Sequence, residues 1–452
     1  METINPTTGE KIASYAEFSS AEVERILANA QKEFHYWRKA SFKERGVKVK
    51  KAAEILRKNK DQYARLMAAE MGKPLLQGQA EIEKCAWVCD FYAEQAQGYL
   101  LNQSIKTDAS KSFVRFEPLG TILAIMPWNF PFWQVFRCAA PTLMAGNTIV
   151  LKHASNVCGS ALAIEEIFLE AGFPENLFRS ILITGKKSGE LIKHPLIAAV
   201  TLTGSTAAGK EVASLAGSAL KKTVLELGGS DPYIILEDAD ISRAAETCVS
   251  SRMTNGGQSC VAAKRFIVVE PVFDVFVEKF VENMKAQRMG PPLEEGTMLG
   301  PLARRDLLDQ LHAQVCESIS QGAQCILGGV IPQGPGAFYL PTVLINVQKE
   351  MIAYKEELFG PVASIIRCAD EREAIHIAND TVFGLGSAIF SRDVERAQRI
   401  AQELQAGCCF INDSVKSDPR LPFGGIKESG YGRELSIFGI QEFVNIKTVY
   451  VK

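Results

Sequence analysis

Two short stretches of this chain carry residue types that could do covalent chemistry. Asn255-Gly256-Gly257-Gln258-Ser259-Cys260 delivers a thiol at the end of a small, polar, flexible run. Leu225-Glu226-Leu227-Gly228-Gly229-Ser230 sets a carboxylate between apolar neighbours, ahead of a glycine pair. Glycines let backbone come close to a ligand, and a thiol on such a turn is reachable. A carboxylate between leucines is partly desolvated, which raises its pKa toward the working pH of a general base. The pair suits a thioester mechanism in which Cys260 attacks a carbonyl and Glu226 later activates water. Each residue also has a plainer reading, a buried inert thiol and a surface carboxylate, because free Cys is usually core material.

Four further motifs share the chain: Pro127-Trp128-Asn129-Phe130-Pro131, Thr203-Gly204-Ser205-Thr206, Glu356-Glu357-Leu358-Phe359-Gly360-Pro361-Val362, and Pro422-Phe423-Gly424-Gly425-Ile426-Lys427-Glu428-Ser429-Gly430. In that order and spacing the chain resembles the NAD(P)-dependent aldehyde dehydrogenase superfamily, from Asn5-Pro6-Thr7-Thr8-Gly9 to its C-terminus. The resemblance implies that Cys260 is the nucleophile and Glu226 the hydrolytic base. It assigns the Asn129 side chain, with the Cys260 backbone N–H, to an oxyanion hole. The Thr203–Thr206 turn follows a buried strand and opens a helix, where N–H groups and the dipole stabilise a pyrophosphate; by similarity Gly204 and Ser205 face it. Lys152 would hold the adenosine ribose, Trp128 would lie along the cofactor, Glu357 would bind the nicotinamide ribose and Phe359 would pack on the nicotinamide side. Relatives that prefer NAD often carry Glu three residues after that Lys. Here Ser155 stands there, so the element that repels NADP is missing and either NAD or NADP fits.

Substrate class rests on Arg137, eight residues after Asn129. In a helix, residues four and eight on share a face, which directs Trp133 and Arg137 toward the mouth of one funnel. An Arg there resembles the succinate-semialdehyde dehydrogenase branch, where a planar guanidinium clamps the distal carboxylate; the alternative is a surface or interdomain ion pair. Ser417 and Arg420 are further funnel candidates. Two departures from that branch stand out: Thr254 replaces a second Arg six residues before the nucleophile, with Arg252 nearby, and Ala262 replaces a second Cys. Besides succinate semialdehyde, glutarate semialdehyde and uncharged aliphatic aldehydes stay open. So does a catalytically silent structural protein on the same scaffold. Transfer of the thioester to coenzyme A is disfavoured, because such branches commonly lack the base found at Glu226.

Composition narrows the setting. At 452 residues the chain calls for two or three domains. With 50 basic against 52 acidic residues it has no electrostatic footprint for nucleic acid. No apolar run approaches the ~18 residues that span a bilayer, and Met1-Glu2-Thr3-Ile4-Asn5 does not read as a signal peptide. Eleven irregularly spaced cysteines imply reduced thiols in a cytoplasm, and the five scattered histidines give no metal site.

The elements that must position these residues follow from periodicity. Ala21–Trp37, Ser41–Met71 and Leu76–Gln97 read as helices. From about residue 112 strands and helices alternate, at Ser112–Pro118, Gly120–Met126, Thr148–Lys152, Ser160–Ala171, Ser180–Thr184, Ala198–Thr203, Lys221–Glu226 and Tyr233–Leu236. After Gly290-Pro291-Pro292 the pattern restarts with strands at Pro341–Val347, Val362–Arg367 and Cys408–Asn412. Helices are expected at Asp370–Asn379 and Asp393–Leu404. The expected fold class is α/β: a Rossmann-type cofactor domain (1–97 and 119–228), an α/β catalytic domain (229–437) and oligomerisation strands (98–118 and 438–452). The alternating tail, Glu442–Val451, reads as an edge strand open to a second copy, in a homodimer or homotetramer.

Overall fold

The computed structural model describes residues 1–452. Two mainly parallel sheets organise it. The first has six strands, in the order Gly430–Tyr431, Lys222–Glu226, Ile197–Thr203, Thr121–Met126, Thr148–His153 and Phe178–Ser180. Thr121–Met126 is buried at every position, as a central strand covered on both faces must be. One face is packed by the helices Phe42–Lys58, Leu75–Tyr99, Trp133–Ala145 and Cys158–Glu170, the other by Ser20–Trp37 and Thr206–Ser218. Ser19 with Glu22 and Ser41 with Glu44 form complete capping boxes, which fix where two of these helices begin.

The second sheet has seven strands: Gln324–Leu327, Thr342–Ile345, Val362–Cys368, Arg265–Val269, Pro232–Ile235, Gly386–Phe390 and Cys408–Ile411. Only Gln324–Leu327 runs antiparallel to its neighbour. The chain therefore crosses between sheets at Leu227–Asp231, immediately after Glu226, and the stretch around Tyr233 opens the second sheet rather than extending the first. Gly430–Tyr431 returns to pair antiparallel with Leu225 and Glu226, so part of the 229–437 stretch closes the edge of the first sheet. A third, antiparallel sheet joins Gln103–Ser104, Lys111–Pro118 and Val444–Val451, the last at its edge.

Two local expectations change. The helix read over Ser41–Met71 divides at Asn59, whose φ of −105° and ψ of 21° leave the helical region; Asn competes for backbone hydrogen bonds and favours such breaks. The strand read at Ser180–Thr184 lies at Phe178–Ser180. Leu182 beyond it is bonded through its carbonyl to Phe18 and not to a strand.

Candidate active site

Cys260 sits on the turn between the helix Ile241–Met253 and the strand Arg265–Val269. Asn255, Gly256 and Gly257 take consecutive positive φ angles of 54°, 64° and 76°. Only Gly, and Asn at a modest cost, adopts that region readily, which accounts for the residue types there. Gly257 has a second constraint: a Cβ would lie 2.1 Å from the Gly360 carbonyl oxygen. The thiol turn is thereby packed directly onto the Glu357–Pro361 segment. Lys264 ties the turn from inside, its Nζ donating to the carbonyls of Ser259 (3.0 Å), Cys260 (2.9 Å) and Ala262 (3.2 Å). The same ammonium pairs with Glu357 at 3.0 Å.

The partly exposed Cys260 opens into a cavity of about 780 Å³ whose wall includes Trp133, Arg137, Lys84, Thr254, Ser417 and Phe423. Burial pushes the thiol up to about 12, against the pull of Arg137 and Lys264. The resting group is a thiol that must lose its proton to react. Glu226 is fully buried at the end of its strand, and neither oxygen has a hydrogen-bond partner. Burial holds its carboxyl well above the usual range; Arg137 opposes the rise and Glu434 adds to it.

Asn129 is clamped on every side. Its Nδ2 donates to the Gln258 carbonyl at 3.0 Å, and its Oδ1 accepts from Gln134 Nε2 at 3.1 Å. Its own carbonyl accepts from Lys73 Nζ at 2.9 Å and Asn255 Nδ2 at 2.8 Å. One Nδ2 hydrogen stays free for another acceptor. Lys73 is ion-paired with Glu81, whose other oxygen accepts the backbone N–H groups of Phe132 and Trp133 at 2.9 Å each. That carboxylate meets the N-terminus of Trp133–Ala145, where the dipole favours negative charge.

On the cofactor side, Ser205 caps the helix Thr206–Ser218, its Oγ accepting from the Ala208 N–H at 3.3 Å. Gly204 N–H donates to the Glu226 carbonyl at 3.0 Å, coupling that turn to the strand that carries Glu226. Lys152 ends the strand Thr148–His153 half-buried, its ammonium pulled down by desolvation and facing no carboxylate. Ser155 is exposed at the start of the following 3-10 turn. Trp128 and Phe359 meet edge to face with ring centroids 5.9 Å apart. An unmatched cation, a capped helix N-terminus and an aromatic pair fit an anionic dinucleotide.

The funnel residues fare differently. Trp133, Arg137 and Ser417 line the cavity. Arg137 is buried, donates to Thr203 Oγ1 at 3.2 Å and forms an ion pair with Glu434, and its field also reaches Glu226. Arg420 is not part of the cavity wall: it is exposed, bonded to Asp418 at 2.9 and 2.6 Å, and lies over the Trp87 ring. Arg252 is fully buried away from the cavity and donates to the Gly257 carbonyl at 2.6 Å, supporting the thiol turn. Sequence reasoning passed over Lys264, Lys73, Glu81, Glu434 and Lys84. The one signal was for Lys264, a cation four residues after Cys260. The others read as ordinary surface charges.

The aldehyde dehydrogenase family model matches residues 1–449. A probable succinate-semialdehyde dehydrogenase [NADP(+)] of Synechocystis is 50% identical, covering 99% of both chains. A succinate-semialdehyde dehydrogenase [NADP(+)] of Mycobacterium avium is 46% identical, over 99% of this chain and 96% of its own. The crystal structure of succinic semialdehyde dehydrogenase from Streptococcus pyogenes, in complex with NADP+, superposes with a TM-score of 0.98. It is 38% identical and covers 100% of this chain and 99% of that one.

Proposed function

The chain belongs to the aldehyde dehydrogenase family, and from that premise we propose that it oxidises succinate semialdehyde to the dicarboxylate, with NADP as the preferred cofactor. The observation that carries the reading is a thiol opening into a cavity whose wall bears cationic side chains, Arg137 and Lys84. Likeness to NADP-dependent succinate-semialdehyde dehydrogenases over nearly the full length supports the same substrate.

Cys260, once deprotonated, adds to the aldehyde carbon. The free Nδ2 hydrogen of Asn129 and the Cys260 backbone N–H are the donors for the resulting oxyanion, each typically worth about 3–4 kcal/mol of barrier lowering. Gln134 and the Gln258 carbonyl hold that amide, and Lys73 and Asn255 hold the backbone behind it, so it does not reorganise as charge develops. Lys152, Gly204, Ser205, Glu357, Trp128 and Phe359 are the residues that would hold the dinucleotide, with Ser155 beside its adenosine ribose. The nicotinamide, when bound, supplies the hydride acceptor. Glu226, as the carboxylate, takes a proton from the water that hydrolyses the Cys260 thioester, and its burial makes that carboxylate a strong enough base for the step. Ser155 supports NADP because it lacks the carboxylate that would repel a 2′-phosphate. We place the enzyme in the cytoplasm as a homodimer or homotetramer joined through Val444–Val451, an edge strand with an unpaired side. No helix is long and apolar enough to cross a membrane.

The test is a comparison of kcat/KM for succinate semialdehyde, glutarate semialdehyde and butanal with each cofactor. The reading expects the four-carbon semialdehyde with NADP to lead. Equal or higher values for butanal would overturn the substrate assignment, and faster turnover with NAD would overturn the cofactor assignment.

A further inference from the structure

One buried ion pair grips the turn that carries Asn129. Lys73 lies in the link Gly72-Lys73-Pro74 between the helices Lys60–Met71 and Leu75–Tyr99, and Glu81 lies on the second of them. Their side chains are 0% and 1% exposed. The Lys73 ammonium pairs with Glu81, donates to the Asn129 carbonyl at 2.9 Å and sits over the Phe130 ring, 3.9 Å from its centroid. Glu81 uses one oxygen for Lys73 and accepts the Phe132 and Trp133 N–H groups on the other, at 2.9 Å each. The pair therefore holds the chain on both sides of Pro131. The link is itself fixed from behind. A Cβ on Gly72 would lie 2.7 Å from Pro301 Cγ, and one on Gly300 would lie 2.1 Å from the Gly72 carbonyl oxygen. Gln77 continues this seam, donating to the Met298 carbonyl at 3.0 Å and accepting the Asn255 N–H of the thiol turn at 2.8 Å.

We infer that Lys73 and Glu81 are positioning residues for the reaction: they fix the Asn129 backbone, and with it the side-chain N–H that meets the oxyanion, relative to the Cys260 turn. The inference rests on the oxyanion reading of Asn129 above and names the groups that make that donor effective. A buried ion pair seldom stabilises a fold beyond what packed apolar side chains achieve. What this pair supplies is direction. Pro131 has no N–H to tie the turn at that point, and the pair ties it from outside. Asn255 donates to the same Asn129 carbonyl at 2.8 Å, so the ammonium and the thiol turn meet on one oxygen atom. An oxyanion donor works because it is in place before charge develops, and a shift of about 1 Å can cost about 100-fold in rate.

The test is a double-mutant cycle read as kcat/KM for succinate semialdehyde, taken per folded dinucleotide site as counted by NADPH fluorescence titration. Lys73→Met/Glu81→Gln removes the donor to Asn129 and keeps an amide oxygen for the Phe132 and Trp133 N–H groups. On the wild-type background it should lower kcat/KM about tenfold. Asn129→Ala alone should lower it about 100-fold or more. Adding the pair substitution to Asn129→Ala should then cost less than about twofold, because no side chain is left to position. Lys73→Gln/Glu81→Gln carries the same prediction if the first variant does not fold, since the side chain at position 73 then falls one atom short of the Asn129 carbonyl. A fall of equal size on both backgrounds would assign the pair to folding alone and overturn the inference, as would no fall on the wild-type background. If Asn129→Ala itself keeps the wild-type rate, the oxyanion reading fails and the inference falls with it.

Discussion

Replacing Arg137 by Met tests how the interior handles its charges. Arg137 and Glu434 are paired with side chains only 3% and 6% exposed. Without the guanidinium, Glu434 has two outcomes. Staying ionised in the interior costs about 3–5 kcal/mol, the usual result of breaking a buried pair. Taking a proton at pH 7, for a carboxyl of ordinary value 4.5, costs about 3.4 kcal/mol. The cheaper outcome sets the limit. Burial already lifts Glu434 in the wild type, so part of that cost is present there, and the expected loss is about 2–3 kcal/mol. The pH dependence follows from the sign. A carboxyl whose folded pKa is raised destabilises the fold above its unfolded value, and removing Arg137 raises it further. The deficit should therefore be full near pH 7.5 and shrink as pH falls toward 4.5. Urea midpoints followed by tryptophan fluorescence at pH 5.5 and 7.5 measure this. The double variant Arg137→Met/Glu434→Met should recover most of the loss, since two apolar side chains can replace a buried pair at little cost. An unmoved midpoint at pH 7.5, or a double variant no better than the single, would refute the reasoning. The single variant should also slow succinate semialdehyde and butanal alike, because the Arg137 field falls on Cys260 and Glu226. That differs from the clamp expected from sequence, under which the semialdehyde alone would suffer.

Three other outcomes are expected. Glu226→Gln should give one burst of NADPH and then stall, since acylation survives without the hydrolytic base; a steady rate near wild type without a burst would remove Glu226 from that role. Ser155→Glu should lower kcat/KM with NADP about tenfold or more while sparing NAD, and equal effects on both cofactors would show that Ser155 does not face the adenosine ribose. With no cofactor bound, alkylation of Cys260, followed by mass spectrometry of its peptide, should rise about tenfold per pH unit from 7 to 10 without a plateau. A plateau near pH 8 would show that the thiol is not held near 12.

The parts of the site legible in the sequence are those in which residue type and backbone demand coincide. Asn255-Gly256-Gly257 announces a left-handed turn, and three small residues in a row have few other uses. Continuous apolar runs such as Thr121–Met126 announce central strands. Yet Arg265–Val269 and Gly386–Phe390, equally buried, were not singled out, because short apolar runs fit helix and strand alike. Buried charge was the least legible. Glu434 and Lys84 lie in stretches that look like solvated surface, and only folding shows that one meets Arg137 and the other meets Ser417 and the Trp133 ring but no carboxylate. Arg137 and Arg420 were both read as funnel residues, but their partners, Glu434 and Asp418, come from distant or local chain that spacing cannot rank, and only Arg137 lines the cavity.

The return of Gly430–Tyr431 to the strand Lys222–Glu226 has a consequence for synthesis. The first sheet is one strand short until about 200 further residues have been made, which at ~5–20 residues per second leaves its edge bare for ~10–40 s. That edge carries Glu226, and Glu434 arrives with the same late segment. A nascent chain can thus assemble its dinucleotide half early and remain inert. Glu226 acquires its buried environment only near the end of translation, so a truncated product lacking the last few dozen residues exposes a sticky edge and leaves that carboxyl uncovered.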